Sequence, residues 1–309
     1  MHVVTDASDE EGGERWLDYE LSTVPGSRLQ VRGALPSFDT PFVAVLGGSE
    51  TFGKYAQHPY PALLSERIGM PVANLGVAQA GLSLFSDEQV LLDIASKAEL
   101  TVLQVLGAQN MSNRLYSVHS RRNDRFLGVS PALRELFPTV DFTEINFTGH
   151  LISTLRAASD AAFRSLVDEL KWAWVQRMRR VLTLIRSDVV LLWISDTAST
   201  DPSDRPIESE PHFVDTDMLS EVEQDCLGIV RVALGKSGSL DGKVFPRQEA
   251  EAALRLPGDA DHRKIAEELS LYVSRFVEEP GEAKGAAGSE DQSFSINSGT
   301  AVNRSATRP

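Results

Sequence analysis

The chain has 309 residues, 42% hydrophobic and 24% charged, enough for one large domain or two small ones with a core of their own. A formal net charge of −14 argues against general binding of nucleic acid or of anionic lipid surfaces. No apolar run approaches the roughly 18–20 residues that span a bilayer, and a single cysteine, Cys226, excludes an internal disulfide.

The acidic start, Met1 to Glu11, lacks the cationic and apolar segments of a signal peptide, so a soluble cytoplasmic protein is expected. Residues 1–15 read as disordered. Trp16 to Val31 alternates weakly and reads as an edge strand or hairpin around Pro25-Gly26-Ser27. Phe42–Leu46 is a buried strand, followed by a helical pattern from Pro59 to Ile68. Pro71–Gly76 is a second strand, Leu84–Ala95 a helix, and Leu100–Gly107 a third strand.

After a long insertion at about 111–158, Asp160–Arg186 is the longest helical pattern. Val189–Ile194 follows as a fourth strand, and Leu227–Leu234 as a fifth whose alternation also permits a helix. Ile265–Val277 is the closing helix. From 279 onward the chain is rich in Gly, Ala, Ser, Asn and Glu and reads as a disordered tail. Strands alternating with helices, with glycine at the strand ends, predict one α/β domain over 16–278. It is expected to be three-layer and flavodoxin-like, a parallel sheet of about five strands with helices on both faces.

The chemistry is expected at the strand ends. Ser49 follows Leu46-Gly47-Gly48, where open sheets face their ligand crevice. A serine nucleophile needs a base oriented by a third group. Asp259-Ala260-Asp261-His262, just before the last helix, offers His262 as base and Asp259 as its orienter. Gly76, through its backbone N–H, and Asn110, through its side-chain amide, can donate to an oxyanion. Each residue also has a plain structural role, as a helix cap or a turn former.

With these residues in this order, the chain resembles the SGNH, or GDSL-type, hydrolases over roughly residues 40–278, and more closely an uncharacterised bacterial group with that core. Gly48-Ser49-Glu50-Thr51-Phe52-Gly53 is similar to the family's first block, with Gly48 where aspartate is usual. In strict register Gly107-Ala108-Gln109-Asn110 puts Gln109 at the family's donor position. The resemblance implies a serine-dependent ester hydrolase or acyl transferase, with Ser49 as nucleophile, His262 as base, Asp259 as orienter, and Gly76 and Asn110 as oxyanion donors.

Two other functions fit the residues. Gly48 to Lys54 satisfies Gly-x4-Gly-Lys, the start of a phosphate loop for a phosphate- or phosphosulfate-using transferase, although Tyr55 stands where a small hydroxyl is needed. A catalytically silent binding protein of the same fold is the other. Arg114, His119, Arg121, Arg122 and Arg125, clustered after the third strand, suggest recognition of an anionic substrate group. His58, His150 and His212 are scattered, so no metal and no cofactor is expected. The partner expected is a small-molecule or carbohydrate ester, anionic in character, rather than nucleic acid or membrane.

Overall fold

The computed structural model describes residues 16–196, 210–235 and 238–277. The disorder expected for 1–15 and for the tail from 279 lies outside those residues, as does most of the loop after the fourth sheet strand. The chain opens with a hairpin, β1 (Leu21–Thr23) and β2 (Gln30–Arg32), antiparallel around the turn at Gly26. Then come β3 (Val43–Gly47), the short α1 (Ser49–Phe52), α2 (Tyr60–Ile68) and β4 (Val72–Gly76). The helical pattern expected over Leu84–Ala95 is two helices, α3 (Leu82–Asp87) and α4 (Gln89–Ala95). They part at Glu88, whose φ of −94° and ψ of 86° are not helical. Strand β5 (Leu100–Gln104) completes the first half.

The insertion folds as a hairpin, β6 (Tyr116–Val118) and β7 (Phe126–Val129), then α5 (Pro131–Leu136) and α6 (Thr148–Ala158). The long α7 (Asp160–Leu184) leads to β8 (Val189–Ser195), α8 (Thr216–Val222) and β9 (Gly228–Ala233). The ambiguous fifth element is therefore a strand. The chain continues through α9 (Ala250–Arg255) into α10 (Asp259–Val273).

Five strands form one parallel sheet in the order β4-β3-β5-β8-β9. Alternation along each strand serves two cores. Val43, Val45, Val102, Val190, Leu192 and Val230 pack against Tyr60 and Leu64 of α2 and Ile265, Ala266 and Leu269 of α10. Ala44, Leu46, Leu103, Leu191 and Trp193 pack on the other face against α4, α7 and α8. The result is three layers, as the residues predict. Strand order reverses between β3 and β5, and the crevice of such a sheet lies outside the carboxyl ends at that point. No helix among the described residues is long and apolar enough to cross a membrane.

Candidate functional site

Glycines at the ends of β3 and β4 let α1 sit directly on the sheet edge. A Cβ at Gly47 would lie 1.9 Å from Thr51 Oγ1, and one at Gly76 would lie 2.4 Å from the Phe52 backbone nitrogen. This close seating puts Ser49 at the first helical position, half-buried, with its Oγ accepting the Gln79 backbone N–H at 3.0 Å. Gln79 holds φ at +63°, a left-handed conformation that costs a non-glycine residue energy and is common at working sites. Gln79 was not among the expected donors.

Of the expected donors, the Gly76 amide is engaged elsewhere, and the Asn110 side chain is anchored through its oxygen. The Gly76 N–H bonds Asn74 Oδ1 at 3.0 Å, so it does not face Ser49. Asn110 turns into the insertion, where its Oδ1 accepts Thr148 Oγ1 at 2.5 Å.

The Asp-x-x-His motif is also put to a different use. Helix α10 begins at Asp259, six residues earlier than its apolar pattern suggests, so His262 lies one turn inside it. There it heads the buried stripe His262, Ile265, Ala266, Leu269, Val273, spaced as one helix face. The ring is fully buried, stacked on Tyr60 with centroids 5.9 Å apart. Its Nδ1 accepts the Tyr60 N–H at 3.1 Å, which puts the imidazole proton on Nε2.

Asp259 does not reach the ring either. Its Oδ1 accepts the N–H groups of Gln57, at 2.8 Å, and His58, at 3.3 Å, and Oδ2 lies 3.3 Å from His58 Nδ1. The N-cap of α2, Pro59, makes no side-chain cap. Asp259 and His262 together receive N–H groups that a helix start leaves without partners. Burial pushes the His262 pKa from its ordinary 6.5 down to about 3, against the pull of Asp259. With Nδ1 taken by the Tyr60 amide, Nε2 buried without a hydrogen-bond partner among the described residues, and Asp259 on other amides, the structure does not bring Ser49, His262 and Asp259 into one hydrogen-bonded triad.

Much of the Gly48–Lys54 loop is bonded internally. Gly48 N–H bonds Gln104 Oε1 at 2.9 Å, and the N–H groups of Phe52, Gly53 and Lys54 close the α1 turn onto Gly48 and Ser49. Lys54 Nζ sits 3.0 Å from Glu249 Oε2. The Gly48, Phe52, Gly53 and Lys54 amides and the lysine ammonium are thus engaged within the fold.

The arginine-rich stretch disperses. Arg114 pairs with Glu169 and covers Trp172, Arg121 Nε pairs with Glu88 Oε1 at 2.6 Å, and Arg125 lies over Phe147. His119 Nδ1 accepts the N–H groups of Arg121 and Arg122 in a turn. Only Arg122 reaches toward the Ser49 loop, 3.5 Å from Gln79 Oε1. The expected anion-binding cluster is thus a set of separate pairings.

Beside the point where the sheet order reverses, a cavity of about 720 Å³ opens across the ends of β5, β8 and β9. Glu50, Gln104, Asp196, Glu210, His212 and Asp261 are among the residues on its wall. The Gln104 amide is held in one orientation. Its Oε1 accepts Gly48 N–H and, at 2.6 Å, Thr51 Oγ1–H, while Tyr60 OH lies 2.7 Å from the Thr51 oxygen. Gln104 Nε2 therefore donates to Glu50 Oε2, at 2.9 Å. Enclosure raises the Glu50 pKa, the Gln104 bond lowers it less, and the charge of Glu210 raises it further.

His212 Nδ1 lies 2.7 Å from Glu210 Oε1. The ring N–H is not aimed at that oxygen, so the contact is an electrostatic pairing rather than an aligned hydrogen bond. Burial lowers the His212 pKa, but Glu210 and then Asp196 outweigh it and the balance is upward. The two residues stand two apart on an irregular loop with no periodicity to mark them. The Glu-x-His spacing is the one sign that could have found them. Among the described residues no group of three or more His, Cys, Asp or Glu side chains could hold a metal ion.

Residues 8–277 match the model of a family described as a domain of unknown function, DUF6473. Solved structures similar to the chain include a lipase from a goat rumen metagenome: 13% identity, TM-score 0.40, 77% of this chain and 98% of that one. Another is a protein from Desulfitobacterium hafniense DCB-2 described as lipolytic and of the G-D-S-L family: 13% identity, TM-score 0.36, 77% and 100% covered. A third is a two-domain esterase active on acetylated mannans: 14% identity, TM-score 0.36, 79% and 53% covered. No curated protein matches the sequence.

Proposed function

The chain belongs to the DUF6473 family, and we propose that it hydrolyses a small-molecule ester held in the carboxyl-edge cavity, without the Ser49–His262–Asp259 triad suggested by its sequence. The observation that carries this reading is the division of labour between two histidines. His262 spends its Nδ1 on the Tyr60 N–H, whereas His212, on the cavity wall, is the imidazole with a carboxylate 2.7 Å away. A concave site of this size with a few convergent polar groups suits a small ligand.

The test is hydrolysis of p-nitrophenyl acetate together with labelling by a fluorophosphonate, which reports activated serines. Turnover is expected to survive Ser49→Ala, with no adduct on Ser49 by mass spectrometry. Stoichiometric labelling of Ser49, with turnover abolished by Ser49→Ala, overturns the reading.

A second reading, ester hydrolysis or acyl transfer with Ser49 as nucleophile, has one observation in its favour. The Gln79 N–H, held by a left-handed residue, points at Ser49 Oγ from 3.0 Å and could serve a developing oxyanion. That reading needs α10 to release His262 from Tyr60, or another base to take the serine proton.

A further inference from the structure

We propose that the cavity carries its own acid–base pair: His212, positioned by Glu210, accepts a proton from water, and Glu50, held by Gln104, donates one to the leaving group of an uncharged ester. This rests on the reading that the cavity is the substrate site. A base works when a third group fixes its ring and leaves one nitrogen free. Glu210 faces His212 Nδ1, and its Oε2 accepts the His212 backbone N–H at 3.3 Å. The His212 carbonyl accepts the Ala108 N–H at 2.9 Å, tying the loop to the segment after β5. Phe213 packs edge-on to the imidazole with centroids 6.1 Å apart. With the Glu210 carboxylate beside Nδ1 favouring a proton there, Nε2 is the nitrogen assigned to take the proton from water.

On the same wall, Gln104 Nε2 holds Glu50 Oε2 and fixes the carboxyl at the cavity. Enclosure raises the Glu50 pKa, the direction a proton donor needs, and the carboxylates of Glu210 and Asp196 outweigh burial to raise that of His212, the direction that strengthens a base.

The step balances. Water oxygen bonds the acyl carbon as one water proton passes to His212 Nε2. The acyl C–O bond then breaks while Glu50 gives its proton to the leaving alkoxide oxygen. Proton return from imidazolium to Glu50 resets the pair, and the net change is one water added.

The wall also sets the substrate class. Asp196, Glu210, Asp241 and Asp261 face Arg255 and Lys243, and Lys243 Nζ is already bonded to the Ala253 carbonyl at 2.7 Å. An anionic ester meets an excess of carboxylates, so an uncharged one is favoured, contrary to the anionic substrate suggested by the arginine-rich stretch.

The test uses the full-length protein with ethyl acetate and ethyl butyrate, whose alkoxide leaving groups need a proton, and p-nitrophenyl phosphate as the anionic comparison. His212→Gln and Glu50→Gln are each expected to lower kcat roughly 10²–10⁴-fold, the usual worth of a positioned acid or base, while melting within a few degrees of wild type. Glu210→Gln is expected to lower kcat less and leave KM unchanged. It should also move the acid limb of the kcat/KM profile to lower pH, a shift that loss of folding does not produce; Asp196 and Arg255 are the other charges acting on that ring. His212→Gln with wild-type kcat overturns the pair but leaves the hydrolase reading standing. Absence of turnover on either uncharged ester, or faster turnover of the phosphate, overturns the substrate class and the hydrolase reading with it.

Discussion

Replacing His262 separates a structural histidine from a catalytic one. His262→Ala removes the acceptor of the Tyr60 N–H, 3.1 Å away, and empties a fully buried site stacked on the Tyr60 ring. A buried N–H left without a partner costs about 1–3 kcal/mol, and the lost ring packing brings the total to roughly 3–5 kcal/mol. At about 2–4 °C per kcal/mol for a domain of this size, Tm falls on the order of 10 °C. His262→Asn places a carbonyl oxygen near the Nδ1 position and is expected to recover part of that loss, although asparagine cannot act as a base. Thermal unfolding by circular dichroism, paired with p-nitrophenyl acetate turnover per folded molecule, reads both effects. An asparagine variant that melts like wild type and has lost turnover at least 100-fold refutes the structural assignment.

Four further outcomes follow from the site's contacts. Asp259→Ala strips the acceptor from the Gln57 and His58 amides, which is expected to cost about 1 kcal/mol, like a lost helix cap; chemical denaturation should show that loss with turnover unchanged. Because His262 titrates at about 3 in the folded chain and at its ordinary 6.5 when unfolded, the unfolded state binds the extra proton between those values. The stability advantage of wild type over His262→Asn is therefore full above pH 6.5 and shrinks as pH falls toward 3, by up to about 1.4 kcal/mol per pH unit; a gap that stays constant with pH contradicts this. Gln79→Gly keeps the N–H on Ser49 and relieves a left-handed residue, so it is expected to be neutral or to stabilise by up to about 1 kcal/mol. Gly76→Ala instead drives a methyl into the Phe52 backbone and should yield no folded protein, as judged by solubility and circular dichroism.

The fold was legible because its sheet is buried on both faces. Val43–Gly47, Leu100–Gln104 and Val189–Ser195 are mainly apolar and buried along almost their whole length, and glycines mark the ends where α1 packs close. The break at Glu88 was not legible, since apolar spacing continues across it. Nor were the two helices of the insertion, of which α6 packs against α7. At the site, spacing alone could not tell which groups an Asp-x-x-His pair serves. A carboxylate and an imidazole on the first turn of a helix can face each other or the amides of a neighbouring helix start. The deciding clue was present: His262 continues the stripe of Ile265, Ala266, Leu269 and Val273 one turn upstream, which makes it a core residue. Glu210 and His212 carry no such pattern, because only the folded loop brings them to the cavity wall.

The protonation of the His262 ring tests the central claim most directly. Nitrogen-15 correlation spectra of the imidazole in the full-length protein report which nitrogen carries the proton. The expected result is a neutral ring protonated on Nε2, with Nδ1 accepting from Tyr60, unchanged as pH is lowered through 6.5 to 5. A ring protonated on Nδ1 and bonded to the Asp259 carboxylate, titrating near neutrality, would restore the serine triad and contradict the account.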